Sequence, residues 1–230
     1  MKYSHIFFDL DRTLWDFEKN SQETLVEIYH HFKLANLGIV IPEIFIEKYR
    51  FHNEYLWSLY RQEKISKDKL RSYRFQLCLN DFSISNDQLV KNLGDMYIDS
   101  CPIKTHLFPF TIEVLEYLKT KYQLHIITNG FHEVQLIKLK HSKLESYFDK
   151  IITSEKIGVK KPDSKIFNFA LSSAQAPLNK SLMVGDDFPV DILGAKKIGM
   201  DQVYFNPNKT KIDRRPTFEI NCLSELLHLL

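Results

Sequence analysis

The chain has 230 residues, of which 44% are hydrophobic and 26% charged, values of a soluble globular protein that exclude a disordered chain and a coiled coil. At this length roughly 70% of the unfolded surface can be buried, enough to fold without disulfides or a structural metal. Lys and Arg total 31 against 29 Asp and Glu, a net charge of +2, and no basic stripe is visible, so no nucleic-acid partner is expected.

The N-terminus, MKYSHIFFDLDRT, has its apolar stretch broken at Asp9 and offers no small-residue cleavage site, so it is not read as a signal peptide. SHIFFDL reads as a first strand. Residues 16 to 102 then carry four apolar stripes at helical spacing: Leu25, Ile28, Tyr29 and Phe32; Phe45, Tyr49, His52, Leu56 and Leu59; Leu70, Tyr73 and Leu77; Leu89, Leu93, Met96 and Tyr97. Asn20 with Glu23 has the spacing of a capping box, and Ser66 is a candidate cap for the third helix. Four helices with no strand between them exceed one strand-to-strand crossover, so 16–102 is expected to be a separate helical cap inserted into a core formed by 1–15 and 103–230.

From 103 onward strands and helices alternate. YQLHIITNG, DKIITSE, KSLMVGDD and MDQVYFN are short apolar runs suited to strands buried on both faces. FTIEVLEYLKTK, FHEVQLIKLKHSKLESYF, DSKIFNFALSSA and FPVDILGAKKIG separate them with helical patterns. The alternation predicts an α/β fold, a Rossmann-like doubly wound parallel sheet with an inserted four-helix cap. Cys78, Cys101 and Cys222 lie far apart with no CxxC pair, which predicts neither a zinc site nor a disulfide framework and fits a reducing cytoplasm. No apolar run approaches the ~18 residues of a membrane span, so no membrane partner is expected.

Ligands of open α/β sheets bind at the carboxyl ends of the strands, and four polar patterns fall there. FFDLDRTL places Asp9 and Asp11 two residues apart; on an extended chain both carboxylates face one way, which suits a cation or a shared proton. HIITNG ends a strand in Thr128 and Asn129, a hydroxyl and backbone N–H groups at the mouth of a helix, where an anion can sit. GVKKPDSKIF holds Lys161 before Pro162, a point charge at a fixed loop position. LMVGDDFPVDILGA delivers Asp186 and Asp187, with Asp191 in the first turn of the next helix. Taken alone each has a plainer reading: a solvated turn, a capped turn, a surface lysine, and Asp187 as a helix cap. The capping role leaves Asp186 without an explanation.

Asp-x-Asp, Thr, Lys-Pro and Gly-Asp-Asp-x-x-x-Asp follow in order, each behind an apolar strand, and together span residues 9 to 191. In this the chain resembles the haloacid-dehalogenase-type superfamily of phosphohydrolases, whose helical cap is inserted between its first two motifs. The resemblance implies that Asp9 is a nucleophile forming an aspartyl-phosphate and Asp11 the general acid and base. It implies phosphate binding by Thr128, Asn129 and Lys161, and Mg²⁺ held by Asp9, the backbone carbonyl of Asp11 and Asp186, with Asp187 and Asp191 beside the ligands or bridged to them by water. Arg12 stands where the family most often has Gly, and Ser164 where Pro is frequent.

DLDRTLWDFEKNS with TNG and GVKKPD looks like the subgroup of pyrimidine 5′-nucleotidases, which implies a small-molecule phosphomonoester, a nucleoside monophosphate, as substrate of a monomer or homodimer. Trp15 and Phe17 either line the base or sugar pocket or pack the hinge between core and cap. A sugar-phosphate phosphatase or a phosphomutase of the same superfamily would keep every core motif. A dehalogenase has no use for Asp11 or a metal site. A receiver-like phospho-acceptor needs no helical insertion and no second Asp, and a nucleotide-binding module would need GxGxxG or GxxxxGK, neither of which occurs.

Overall fold

The sheet begins with four consecutive buried residues, the pattern of a central strand apolar on both faces. The computed structural model describes residues 2–230. In chain order its elements are β1 (His5–Phe8), α1 (Phe17–His31), α2 (Pro42–Arg61), α3 (Lys67–Asn80), α4 (Asp87–Ser100), α5 (Thr111–Lys119), β2 (Gln123–Thr128), α6 (His132–His141), β3 (Lys150–Thr153), α7 (Ser154–Ile157), α8 (Ser164–Ser173), β4 (Ser181–Gly185), α9 (Leu193–Lys197), β5 (Asp201–Phe205), β6 (Phe218–Ile220) and α10 (Leu226–Leu229).

The six strands pair in the order β3-β2-β1-β4-β5-β6, parallel throughout. Phe8 is in register with Ile126 on one side and Val184 on the other, so β1, β2 and β4 end side by side. On one face Phe7, Ile127 and Met183 pack under Ile166, Phe167 and Ala170 of α8 and Ala195 of α9. On the other, Phe8 meets Phe148 edge-on at 6.4 Å. Each fully buried Phe, Ile or Leu adds about 1.5–3 kcal/mol, which is why a strand as short as β1 can anchor the sheet. This is the doubly wound α/β architecture expected from the alternating pattern.

The chain divides into two compact units, Met1–Phe17 with Thr105–Leu230, and Glu18–Lys104. The first holds the sheet. The second holds the helices from α1 to α4 with a 3₁₀ turn at Leu34–Leu37. Ser66 caps α3 through Lys69 N (3.2 Å), and Asn86 caps α4 through Leu89 N (2.9 Å).

Several local details differ from the pattern reading. The helix expected to start near Asn20 already begins at Phe17, and Asn20 lies fully buried in its first turn. On α3 the buried residues are Leu70, Arg74, Phe75, Cys78 and Leu79, whereas Tyr73 is 38% exposed. A helix packed between two neighbours has a wide buried face, and here it takes in Arg74, which the apolar stripe does not include. The run 131–148 is not one helix: α6 closes at His141, Lys143 turns through φ 58°, and a 3₁₀ turn follows at Glu145–Tyr147. That break lets Leu144 N reach back to Leu139 O (2.8 Å) and buries both side chains. The sequence FPVDI forms a π-helical turn before α9, and β6, only three residues long, carries too little periodicity to be seen. No helix of the described residues is long and apolar enough to cross a membrane.

At the opposite end of the sheet from the loops described below, His5 Nδ1 lies 3.2 Å from His125 Nε2. Burial, reinforced by the neighbouring His5, pushes His125 from its ordinary 6.5 down to about 4. The unfolded chain therefore takes up this proton before the folded one does. The stability that a neutral His125 contributes is complete above pH 6.5 and is lost as pH falls toward 4. The urea midpoint should fall more between pH 7.5 and 5.0 in the wild type than in His125→Leu; parallel curves would contradict the assignment.

Candidate functional site

Strand order reverses between β1 and β4, the switch point where a doubly wound sheet opens a crevice at its carboxyl edge. Asp9 leaves β1 there, its N–H bonded to Val184 O (2.9 Å), and Asp186 leaves β4 beside it. One carboxylate oxygen from each of Asp9, Asp186 and Asp191 lies within 4.8 Å of the others. Asp9 is 8% and Asp191 1% exposed.

Lys161 enters this cluster from the loop before α8 and is itself 2% exposed. Its ammonium donates to Asp9 Oδ1 (2.7 Å) and Ile127 O (2.8 Å) and pairs with Asp191 Oδ1 (2.6 Å). Asn129 grips the backbone of Lys161 at both ends, its Oδ1 accepting from Lys161 N (2.8 Å) and its Nδ2 donating to Lys161 O (3.0 Å). The Asn129 side chain, expected at the phosphate position, is thus spent on holding the lysine loop.

Two glycines make room. A Cβ on Gly185 would stand 2.4 Å from Asp191 Oδ2, and one on Gly130 would stand 2.1 Å from Gln135 Nε2. Asp187 caps the helical turn through Val190 N (3.1 Å) while its own N–H donates to Asp191 Oδ2 (3.1 Å). Its capping role is therefore the one seen, and through its backbone it also steadies Asp191.

Asp11 does not share a partner with Asp9. Beyond Phe8 the strand ends and the two carboxylates take separate partners; the residue after Asp11, Arg12, has φ 65°, a left-handed backbone that favours glycine. Asp11 Oδ1 pairs with Lys138 Nζ (2.5 Å), and Oδ2 accepts from Gln135 Nε2 (2.8 Å). The same Gln135 nitrogen donates to Thr128 Oγ1 (2.7 Å), which also accepts from Gly130 N (3.1 Å). With two bonds accepted, the hydroxyl hydrogen of Thr128 is left to donate elsewhere, and the described residues offer it no acceptor. Trp15 is fully buried, with the Lys138 ammonium 4.2 Å from its ring centre. Phe17 is partly exposed and lies 4.9 Å beneath the Arg12 guanidinium.

Three residues of this site went unread in the sequence. Thr13 donates to Asp186 Oδ1 (2.9 Å); Gln135 and Lys138 face inward from α6. Their spacing of three places them on one helix face, but a polar face toward a site reads the same as a polar face toward water. Beside Asp186 a cleft of about 560 Å³ is lined by Phe188, Tyr204, Lys211 and Arg214.

The electrostatics are unbalanced. Asp9, Asp186 and Asp191 against Lys161 sum to −2. Burial, with the charges of Asp191 and Asp11 added and Lys161 only partly offsetting them, pushes Asp9 up to about 7. Burial and the charges of Asp9 and Asp191 hold Asp186 well above the usual carboxylate range. For Lys161 burial works against the charge, but Asp191 and Asp9 overcome it and raise its pKa. A hard divalent cation fits such an all-oxygen, negatively overcharged set.

A sequence profile described as haloacid dehalogenase-like hydrolase matches residues 6–205. The pyrimidine 5′-nucleotidase YjjG of Escherichia coli (strain K12) is 30% identical over 233 residues, covering 100% of this chain and 99% of that protein. The pyrimidine 5′-nucleotidase PynA of Streptococcus pneumoniae (strain ATCC BAA-255 / R6) is 28% identical, covering 100% of this chain and 96% of that protein. Among solved structures, the HAD-hydrolase YfnB from Bacillus subtilis bound to magnesium superposes with a TM-score of 0.88 at 26% identity, covering 100% of this chain and 99% of that one.

Removing the buried cation leaves the carboxylates uncompensated. In EDTA, Lys161→Met should lower the unfolding free energy by about 3–5 kcal/mol, read from urea denaturation, and adding Asp191→Asn should return part of it. An unchanged midpoint in Lys161→Met would show that Lys161 is not what balances the cluster.

Proposed function

The chain belongs to the haloacid dehalogenase-like hydrolase family as a phosphatase, and we propose that it removes the phosphate from a pyrimidine nucleoside 5′-monophosphate through a covalent intermediate on Asp9. The observation that carries this reading is the separation of two carboxylates only two residues apart: Asp9 on Lys161, Asp11 on Lys138. One is placed to attack and the other to move protons.

Magnesium, held by Asp9, Asp186 and the backbone carbonyl of Asp11, would supply the positive charge that lets a carboxylate approach a phosphate dianion. Lys161 fixes Asp9 through Oδ1, and the other carboxylate oxygen forms the bond to phosphorus as the phosphorus–ester oxygen bond breaks. The departing oxygen takes a proton from Asp11. In the second step Asp11 takes a proton from water, the water oxygen bonds to phosphorus, and the Asp9–phosphorus bond breaks to release inorganic phosphate. Thr128 gives its hydroxyl hydrogen to a phosphate oxygen. Lys138 and Gln135 keep Asp11 aimed at the leaving group. The helical unit 18–104 is read as the family's inserted cap, since it lies in the chain between the Asp9 and Thr128 motifs. Full-length similarity to two pyrimidine 5′-nucleotidases supports the substrate class. A dehalogenase would leave Asp11 and Asp186 without a task.

Phosphate release from UMP, dUMP, dTMP, CMP, AMP, sugar phosphates and a chromogenic ester, with Mg²⁺ and with EDTA, tests the reading. Metal-dependent release led by pyrimidine monophosphates is expected; release led by sugar phosphates would keep the chemistry and discard the substrate, and none from any ester would discard both. Asp9→Asn should remove turnover, and near wild-type activity in that variant would displace Asp9 as the nucleophile. Lys138→Met should lower kcat by about 10- to 100-fold, a part of what a positioned acid contributes, with Lys138→Arg recovering some of it.

A further inference from the structure

β5 ends at Phe205, and because it runs parallel to β4 the chain leaves it at the same sheet edge as Asp186. Residues 206–217 then lead to β6, and this segment is held at both ends. Asn206, 2% exposed, grips the backbone of Thr210, its Oδ1 accepting from Thr210 N (2.8 Å) and its Nδ2 donating to Thr210 O (2.9 Å). Lys196 Nζ donates to Arg215 O (2.9 Å), and Gln202 N donates to Thr217 Oγ1 (3.1 Å). Between these anchors Lys211, Asp213 and Arg214 line the cleft of about 560 Å³ that Phe188, Tyr204 and Asp186 also line. Phe188 meets Tyr204 edge-on at 5.2 Å, and Tyr204 is buried, so part of the wall is a fixed aromatic surface. All of these residues belong to the sheet-bearing unit.

Solubility alone accounts for charged side chains on a loop, but not for what surrounds these. The cleft has the volume of a small-molecule site. Among the described residues no hydrogen bond or ion pair engages the side chains of Lys211, Asp213 or Arg214, although opposite charges lie side by side in the sequence. Asp186 lines the cleft, and one of its carboxylate oxygens is within 4.8 Å of one from Asp9, so the cleft opens beside the nucleophile. Two cationic donors, one anionic acceptor and an aromatic wall are a poor seat for a second phosphate, which Asp213 would repel. They suit a flat ring whose edge carries both carbonyl oxygens and an N–H.

We propose that this cleft receives the pyrimidine base of the substrate: Lys211 and Arg214 donate to its carbonyl oxygens, Asp213 accepts from its ring N–H, and Phe188 with Tyr204 supplies the apolar wall. The inference rests on the nucleotidase reading above and deepens it by placing base recognition on the sheet-bearing unit. Lys211, Asp213 and Arg214 are exposed, so the base reaches them without rearrangement of the core. The clamped backbone limits how much order the loop must gain on binding.

The test compares esters that share the phosphate and differ in the base. Arg214→Met should lower the ratio of kcat/KM for UMP to that for ribose 5-phosphate, which lacks a base, by about tenfold or more, the scale of a lost hydrogen bond to a charged group. Arg214→Lys should recover part of that loss. Asp213→Asn should shift the UMP-to-CMP ratio toward CMP, since uracil offers a ring N–H where cytosine offers a bare nitrogen and the new amide both donates and accepts. Each ratio is taken on one protein sample, so an unfolded fraction cancels. Equal effects of Arg214→Met on UMP and ribose 5-phosphate, or an unmoved ratio in Asp213→Asn, would overturn the base site while the nucleotidase reading stands. Wild-type protein that releases no phosphate from UMP would overturn both.

Discussion

Everything at the carboxyl edge of this sheet is arranged around one ammonium ion buried between two carboxylates. Water would solvate Asp9, Asp191 and Lys161 separately; the crevice has removed it, and each carboxylate is tolerable only because the ammonium lies within 2.7 Å of it. The consequences reach outward through the chain. Gly185 has no side chain because Asp191 occupies the space. Asn129 uses both ends of its amide on the lysine backbone, since an ammonium displaced by an ångström would abandon one of its acids. Even so the balance is incomplete, and Asp186 adds a charge that nothing buried cancels. Such a negatively overcharged set of oxygens fits a hard cation.

A second cation answers a second problem. Two aspartates separated by one residue would repel and act as a unit if the strand continued straight. Instead β1 stops, Arg12 takes up a left-handed backbone, and Asp11 is drawn to Lys138 and Gln135. The Gln135 amide also touches Thr128, so the Asp11 carboxylate and the Thr128 hydroxyl are set by the same side chain. Lys138 in turn lies over Trp15, so this aromatic supports the cation that holds Asp11.

The helical unit follows a different logic. Its caps are local: Ser66 and Asn86 bond to N–H groups three residues away, and Ser66 could be read as a cap from the sequence. Its interior is not. Tyr73 belongs to the apolar stripe by type and faces solvent, while Arg74 belongs to the surface by type and lies among Tyr49, Phe75 and Tyr97. Periodicity registers how apolar a residue is, and a buried charge contradicts the premise on which that reading works.

Sequence alone determined the parts governed by short-range physics. Buried parallel strands must be runs of apolar residues, so five of the six announced themselves; Asp9, Asp11 and Asp186 stood out as candidates because they follow such runs at strand ends, and Lys161 because it precedes Pro162 in a loop. Tertiary structure decided what depends on distance in space. Lys161 reaches Asp9 across 152 positions, and Lys138 reaches Asp11 across 127; no window along the chain contains both partners. Whether Asp191 caps a helix or buries its charge against Lys161, and whether Gln135 and Lys138 face water or a carboxylate, follows from which strands lie side by side. Pairing energies act between neighbours in space, and only the folded sheet makes those residues neighbours.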